Sequence, residues 1–255
     1  MKNQRYFFGN GFSADQLKLF AIIAMTIDHL TCVIFPGYPK TWWILLLHVI
    51  GRLTAPTMWF MIAEGYHYTK NLKKYLERLF LFAFLSHFAY NFAFGIPFLP
   101  FQTSVFNQTS VIWSLAWGVA AIALTDEERF SFAKWQQVLI ILGICVVTFC
   151  SDWSCIAVLA IVGICQHRGA LKRQVREMMT YVFFYALVYF IFVDRVYGVL
   201  QLFVIICVPF LKRYNGTRGS FRGMKWFFYL YPAHLFLCGL LRLYLHGNIG
   251  VMIGG

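Results

Sequence analysis

Apolar segments of helical length follow one another along almost the whole chain, separated by short polar connections. We place nine of them, at roughly 17–36, 41–63, 79–95, 105–124, 135–150, 153–166, 178–193, 196–211 and 226–246. A bilayer crossing needs about 20 apolar residues in a helix, and inside lipid a chain must satisfy every backbone polar group internally. The pattern therefore predicts an all-α, polytopic membrane helix bundle that forms a single membrane-embedded domain over residues 1–255.

The number of crossings depends on two pairs of segments that almost touch. Two residues separate 135–150 from 153–166, and two separate 178–193 from 196–211. Each pair is consistent with a tight hairpin or with one broken helix. We therefore expect about nine transmembrane helices, within a range of eight to ten.

Composition excludes the usual soluble classes. Hydrophobic residues make up 60% of the chain and charged residues 13%, against about 25% charged residues in soluble domains. The net charge of +12 lies mainly in short connections, which indicates loops facing anionic lipid and not a nucleic-acid partner. The seven cysteines form no CxxC pair, so we expect neither a disulfide framework nor a bound metal.

The distribution of Lys and Arg predicts the orientation. The second, fourth, sixth and eighth connections hold fifteen of these residues, whereas the odd connections hold only Lys40 and Arg195. Because basic loops stay in the cytoplasm, we expect the N-terminus inside and the C-terminus outside. The predicted cytoplasmic loops are 64–78, 125–134, 167–177 and 212–225.

Several polar side chains fall inside the apolar segments, where an unpaired ionisable group costs a few kcal/mol or more. At about 1.5 Å per residue, four different segments place such groups in a slab about 6 Å thick near the midplane. These residues are His29, Arg52, His87, Asn91 and His234. The shared depth favours a common polar site, although hydrogen bonds that fix helix packing explain single residues equally well.

Asp28 and His29 are adjacent in the first segment, so their side chains diverge by about 100° on a helix. We therefore expect Asp28 to meet Arg52 or another histidine across the bundle. His48 lies nearer the outer end of its segment. We interpret it as a structural residue.

These residue types suit acyl transfer inside the membrane. A neutral His29 can act as a general base for an amine or a hydroxyl, and Arg52 or Asn91 can stabilise an oxyanion. A proton-coupled transporter or channel uses the same residue types at the midplane. A non-catalytic assembly protein, in which the polar residues only set helix register, is a third alternative.

The order of the motifs resembles that of the TraX family over nearly the whole chain. The resemblance is strongest at the Asp-His pair at 28–29, the Gly-Arg…Pro pattern at 51–56 and the closing Tyr-Pro-Ala-His-Leu at 231–235. The family consists of bacterial inner-membrane proteins and includes a pilin N-acetylase that uses acetyl-CoA. The resemblance implies a multi-pass inner-membrane acetyltransferase whose acceptor is a pilin N-terminus or another envelope molecule.

Roles for single residues follow from this interpretation. We expect His29 to be the general base, with Asp28 and Arg52 as a supporting pair and with His87, Asn91 and His234 lining the transfer cavity. Acetyl-CoA would enter from the cytoplasm. Its phosphates and adenine would meet the following residues: Tyr66, His67, Lys70, Lys73 and Arg218.

Overall fold

The computed structural model describes residues 11–220 and 224–251, without the side chains of 224–228. The described residues form helices and no β-strand, which confirms the all-α class. The helices are α1 (Ala14–Ile34), α2 (Trp42–Gly51), α3 (Thr54–Tyr68), α4 (Leu72–Phe94), α5 (Val111–Thr125), α6 (Lys134–Thr148), α7 (Ser154–Gln166), α8 (Leu171–Phe192), α9 (Arg195–Gln201), a 3₁₀ segment (Leu202–Cys207), α10 (Val208–Lys212) and α11 (Met224–His246).

Four helical stretches in the described part of the chain are long and apolar enough to cross a membrane. They are Ala14–Ile34, Trp42–Tyr68, Leu171–Phe192 and Arg195–Lys212. Helices α5, α6 and α7 are apolar but shorter. The chain is thus a helical membrane protein, while nine crossings and the N-in orientation stay predictions.

The second predicted segment is one helical path broken in the middle. Helix α2 ends at Gly51 and α3 begins at Thr54. Pro56 lies in the first turn of α3, and a proline ring clashes with the carbonyl four residues earlier, which here belongs to Arg52. The break therefore falls at Arg52 and separates its backbone from a regular helix.

Helix ends differ from the predicted connections where polar residues continue a helix beyond its apolar stretch. The connection predicted at 64–78 is helical except at 69–71, because α3 runs to Tyr68 and α4 begins at Leu72. The Asn71 side chain caps α4 by accepting a hydrogen bond from the Lys74 N–H at 2.9 Å. Helix α8 likewise begins at Leu171, inside the predicted loop 167–177, whereas α5 begins at Val111 and not at 105.

Five helices enclose the centre of the bundle. Helix α1 contacts α3 and α11, α11 contacts α4, and α4 contacts α5, while α7 packs behind α3 and α5. Fully buried aromatic side chains, among them Trp59, Phe60 and Tyr90, fill the interior between these helices. The arrangement leaves an internal space bounded by α1, α3, α4, α5 and α11.

Orientation can be tested at Ser220, an exposed residue in the predicted cytoplasmic loop 212–225. Residues 221–223 of this loop lie outside the described part of the chain, as do the basic residues Lys2 and Arg5 of the N-terminal tail. We expect Ser220→Cys to resist an impermeant maleimide added to intact cells and to react after the cells are opened. The same substitution at the exposed Thr103, in a predicted outer connection, is the control and should react in intact cells. Labelling of the Ser220→Cys protein from outside would reverse the predicted orientation.

Candidate functional site

A cavity of about 640 Å³ lies in the space that α1, α3, α4, α5 and α11 enclose. Its volume falls in the range of small-molecule sites, which runs from about 300 to 1,000 Å³. Helix α1 contributes a stripe of residues from Ala14 to His29 at spacings of three and four, so one face of the helix lines the cavity along its length.

One end of the cavity is basic. It is lined by residues at the ends of α1, α3 and α4 and by the segment that precedes α11, namely Lys18, Tyr68, Lys70, Arg78, Gly216 and Arg218. Glu64 also lines this end, where the Arg168 guanidinium donates to both of its carboxylate oxygens at 2.9 and 3.1 Å. The positive charges at this end therefore suit an anionic ligand.

The middle of the cavity is apolar. Methionines from two helices lie there, Met25 on α1 and Met58 and Met61 on α3, together with Phe82 and Leu115. Methionine side chains adapt to the shape of a ligand because they are unbranched and flexible. This stretch suits an elongated, weakly polar ligand and keeps water away from the far end.

The far end of the cavity, which we call the floor, carries three of the polar residues that the sequence predicted at the site. Asp28, His29 and Arg52 line it with Asp152, Trp153 and Tyr231. The His29 Nδ1 and His234 Nε2 atoms lie 2.9 Å apart, and the two rings are nearly coplanar, at 7°. The structure thus brings His29 and His234 together, although they are 205 residues apart in the chain. His234 itself does not line the cavity, contrary to the prediction, and bonds the His29 ring at this point.

Hydrogen bonding assigns the protons of this histidine pair. His234 Nδ1 lies 3.2 Å from the Leu230 carbonyl, which can only accept, so Nδ1 carries a proton. In the neutral ring, His234 Nε2 is then an acceptor and His29 Nδ1 is the donor. His29 Nε2 consequently holds a lone pair, and no described residue forms a hydrogen bond with it, so it is available to a ligand in the cavity.

A second hydrogen-bond network joins two residues of the floor, Asp28 and Arg52, to residues that do not line the cavity. Asp28 Oδ2 accepts from Arg52 Nη2 at 2.9 Å, and Asp28 Oδ1 is 2.7 Å from His48 Nδ1. Arg52 also donates to the His48 carbonyl at 3.2 Å and to the Gln201 side chain at 2.8 Å. Asp28 thus meets both Arg52 and a histidine, and that histidine is His48, which the sequence alone did not place at the site.

Close helix packing makes this network possible. A Cβ atom added to Gly51 would collide with the Asp28 side chain, so only glycine lets α2 approach α1 at this depth. Arg52 also lies over the Trp153 ring, 5.6 Å from its centroid, a distance typical of a cation–π contact. These contacts give the Gly-Arg pattern at 51–52 a structural reason.

Asp28, Cys32 and His48 offer three potential metal-ligand atoms within 4.8 Å of one another. Both oxygens of Asp28 are already bonded, one to the Arg52 guanidinium and one to His48. A guanidinium on the same carboxylate repels a second cation. The group is therefore better suited to a hydrogen-bonded ion pair than to a metal.

His87 and Asn91 do not line the cavity. His87 Nε2 lies 2.8 Å from the Phe98 carbonyl, and Asn91 Nδ2 donates to the Pro97 carbonyl at 2.8 Å. Both side chains thus hold the segment after α4, which ends at Gly95 in a left-handed conformation. The two residues were predicted at the depth of His29, but their side chains contact the segment after α4 and not the cavity.

The predicted coenzyme A residues separate into two groups. Lys70 and Arg218 line the basic end of the cavity, whereas Tyr66, His67 and Lys73 do not. The Tyr66 hydroxyl is 2.6 Å from the Asp126 carboxylate and 2.9 Å from Arg129 Nε. His67 Nε2 is 3.2 Å from the Cys165 sulfur. The Lys73 ammonium is exposed beside Glu77.

Sequence reasoning missed several residues that line the cavity. Lys18 and Arg78 were not predicted as site residues, and Asp152 and Trp153 were not considered. A signal existed for Lys18, because it lies on the same helical stripe of α1 as Asp28 and His29. Asp152 carries no such signal, since it lies in the turn between α6 and α7, where a charged residue is ordinary.

Comparison with known proteins gives three findings. A family model described as "TraX protein" matches residues 13–242. A protein of Dichelobacter nodosus named "Probable fimbrial assembly protein FimC, serogroup H1" is 27% identical over 246 residues, which cover 92% of this chain and 97% of the relative. No protein of solved structure matches the chain.

Proposed function

We propose, since the chain belongs to the TraX family, that it is an integral membrane acyltransferase that moves an acetyl group from cytoplasmic acetyl-CoA to an amine or hydroxyl acceptor. The main observation in support is one cavity that joins a basic end to the available Nε2 of His29. An anionic carrier can be held at one end while its reactive group lies at the other. A coenzyme A thioester requires such a site, because its phosphates and its reactive carbonyl lie at opposite ends of the molecule.

The basic end supplies charges for the phosphates of coenzyme A. Lys18, Lys70, Arg78 and Arg218 surround it. His29 lies eleven residues beyond Lys18 on α1, or about 16 Å at 1.5 Å per residue. The apolar stretch between them would hold the pantetheine arm. In the predicted orientation the basic end faces the cytoplasm, where acetyl-CoA is made.

The floor supplies the proton transfer. The acceptor nitrogen or oxygen attacks the thioester carbonyl carbon while His29 Nε2 removes its proton, and the C–S bond breaks as the tetrahedral intermediate collapses. The thiolate leaves with that proton as the free thiol of coenzyme A. The products are an acetamide or an acetate ester and coenzyme A, and His29 is neutral again.

In this proposal Arg52 stabilises the oxyanion of the intermediate. A guanidinium has five N–H donors, and three are used by Asp28, His48 and Gln201. Because Arg52 lines the cavity, the remaining donors can meet developing negative charge there. A fixed donor in a water-poor site acts strongly on such charge.

The relative and the family support a proposal for the acceptor and for the location. The Dichelobacter nodosus protein is named a probable fimbrial assembly protein, so we propose a pilin subunit at the bacterial inner membrane as the acceptor of this chain. The same name also favours a second candidate function, a non-catalytic role in pilus assembly. The two functions differ in whether the protein consumes a thioester.

Thioester consumption tests the proposal directly. We expect the purified protein in lipid nanodiscs to bind coenzyme A and, with an acceptor-containing membrane extract, to transfer the acetyl group of [¹⁴C]acetyl-CoA to an extract component. The matched control is the His29→Ala protein in the same nanodiscs. Absence of both coenzyme A binding and label transfer would exclude an acyltransferase and leave the assembly role.

Removing positive charge from the basic end tests whether this end binds coenzyme A. We expect Lys70→Ala combined with Arg78→Ala to weaken coenzyme A binding about 10-fold or more, because hydrogen bonds to charged groups each contribute about 1.5–3 kcal/mol. Lys73→Ala is the control, since its ammonium is exposed and lies outside the cavity. Equilibrium binding at two salt concentrations measures the effect. Equal affinities for the two variants would show that the basic end contacts only lipid.

A further inference from the structure

Asp152 lies on the cavity floor and has no part in the mechanism described above. No side chain in the described part of the chain forms a hydrogen bond or an ion pair with its carboxylate, and only the backbone N–H of Trp153 reaches it. An ionised carboxylate has about four acceptor positions. Asp152 therefore offers the cavity a negative charge and oxygen atoms that can still accept hydrogen bonds.

The position of Asp152 is fixed by the backbone around it. The Asp152 N–H donates to the Thr109 carbonyl at 2.9 Å, and the Gln108 N–H donates to the Cys150 carbonyl at 2.7 Å. The next residue, Trp153, has φ of +63°, a conformation that costs about 1–3 kcal/mol in a non-glycine residue. The Trp153 ring is held against Trp59, Tyr185 and Arg52, so the turn holds Asp152 rigidly on the floor.

The two ends of the cavity are of opposite charge. The mouth carries Lys18, Lys70, Arg78 and Arg218, while the Glu64 carboxylate beside them is bonded to Arg168. The floor carries two carboxylates, Asp28 and Asp152, against the single guanidinium of Arg52. With neutral histidines the formal charge of the floor is −1. The negative charge of Asp28 is balanced by its ion pair with Arg52. The remaining negative charge is that of Asp152.

We propose that Asp152 is an acceptor-binding residue whose carboxylate holds the ammonium group of a primary amine beside His29, so that the enzyme selects amines over hydroxyls. This inference rests on the proposed function and adds the charge of the acceptor and the residue that recognises it. The donor thioester would reach the floor from the basic end. The acceptor would be held at the floor itself.

An ammonium acceptor must lose two protons, and the site accounts for both. His29 Nε2 first takes one proton from the ammonium that Asp152 holds and releases it to water, which leaves a neutral amine and a neutral His29. The amine nitrogen then attacks the thioester carbon while His29 Nε2 takes the second N–H proton, the C–S bond breaks, and this proton leaves with the thiolate as the coenzyme A thiol. One amide, one thiol and one proton are therefore formed for each thioester, and His29 is neutral again.

The test compares two acceptor probes that differ in one group. Triglycinamide has a free ammonium, and glycolyl-glycyl-glycinamide has a hydroxyl in its place. We expect the wild-type protein in nanodiscs, saturated with coenzyme A, to bind triglycinamide about tenfold more tightly than the hydroxyl probe in equilibrium dialysis. Asp152→Asn should abolish this preference, and Asp152→Glu, which keeps the charge, should retain it.

Asp194→Asn is the matched control, because this carboxylate is paired with Lys40 at 2.9 Å outside the cavity. It should keep the preference for the ammonium probe. Equal binding of the two probes by the wild-type protein, no binding of triglycinamide, or a preference that survives in Asp152→Asn would each overturn the proposal. Coenzyme A affinity, measured on the same samples, reports separately on the proposed function, which fails only if that affinity and thioester consumption are absent.

Discussion

Replacing His29 by alanine is expected to lower kcat for acetyl transfer by about 10²–10⁴-fold, the usual effect of removing a general base. His29 Nε2 acts on protons of the acceptor and not on the donor, so its loss should appear in kcat and not in donor binding. The affinity for coenzyme A should stay that of the wild-type protein, because the basic end of the cavity is about 16 Å away along α1. Steady-state kinetics with acetyl-CoA, together with equilibrium binding, separates the two quantities.

The matched control is His87→Ala. His87 is also a histidine within an apolar helix, but it bonds the Phe98 carbonyl and does not line the cavity. We expect this variant to keep most of its activity. His48, which its sequence position indicated as a structural residue, is unsuitable as a control because it bonds Asp28.

His234 supports His29 by holding its tautomer. His234→Leu removes the acceptor of the His29 Nδ1 proton, so the proton can move to Nε2 and block the base. We expect a smaller loss of kcat than for His29→Ala, with partial recovery in His234→Gln, whose side-chain oxygen can accept the same hydrogen bond. A His29→Ala protein that retains most of its activity would show that the midplane histidines are structural.

Counting residues along each apolar segment predicted polar residues at one depth, and the structure brings only some of them to the cavity. Asp28, His29 and Arg52 line the cavity floor, and His234 contacts His29 without lining the cavity. His87 and Asn91 were predicted at the same depth, but they bond the segment after α4. Depth follows from counting residues along a helix, whereas direction depends on how each helix rotates against its neighbours, and that rotation is set by close contacts such as the one between Gly51 and Asp28.

Sequence patterns could not predict the site residues in the turn between α6 and α7, for a different reason. The pattern of apolar segments predicted the helices because lipid requires such segments. The turn between α6 and α7 has no such requirement, and its position on the cavity floor depends on backbone bonds to residues about 40 positions earlier, at 108 and 109. Asp152 and Trp153 thus became visible only through the tertiary structure.

Breaking the ion pair of Asp28 and Arg52 should lower the stability of the protein more than any other of the proposed substitutions. Removing one partner of a buried ion pair typically costs about 3–5 kcal/mol, because the other charge is left unpaired. We therefore expect Arg52→Met, which strands Asp28 beside His48, to lower the thermal midpoint of the protein in detergent sharply. Asp28→Leu should have a similar effect, because it leaves the Arg52 guanidinium without its carboxylate.

The double variant separates stability from catalysis. Replacing both partners at once removes both charges, and such replacements are often neutral or stabilising, so Asp28→Leu combined with Arg52→Met should recover most of the lost thermal midpoint. It should not recover acetyl transfer, because the oxyanion donor of the floor is gone. Lys40→Met is the control, since its pair with Asp194 is exposed on the lysine side and pairs of that kind contribute about 0–1 kcal/mol. A double variant that regains both stability and activity would mean that the pair only joins α1 to the break between α2 and α3, and that Arg52 has no role in the reaction.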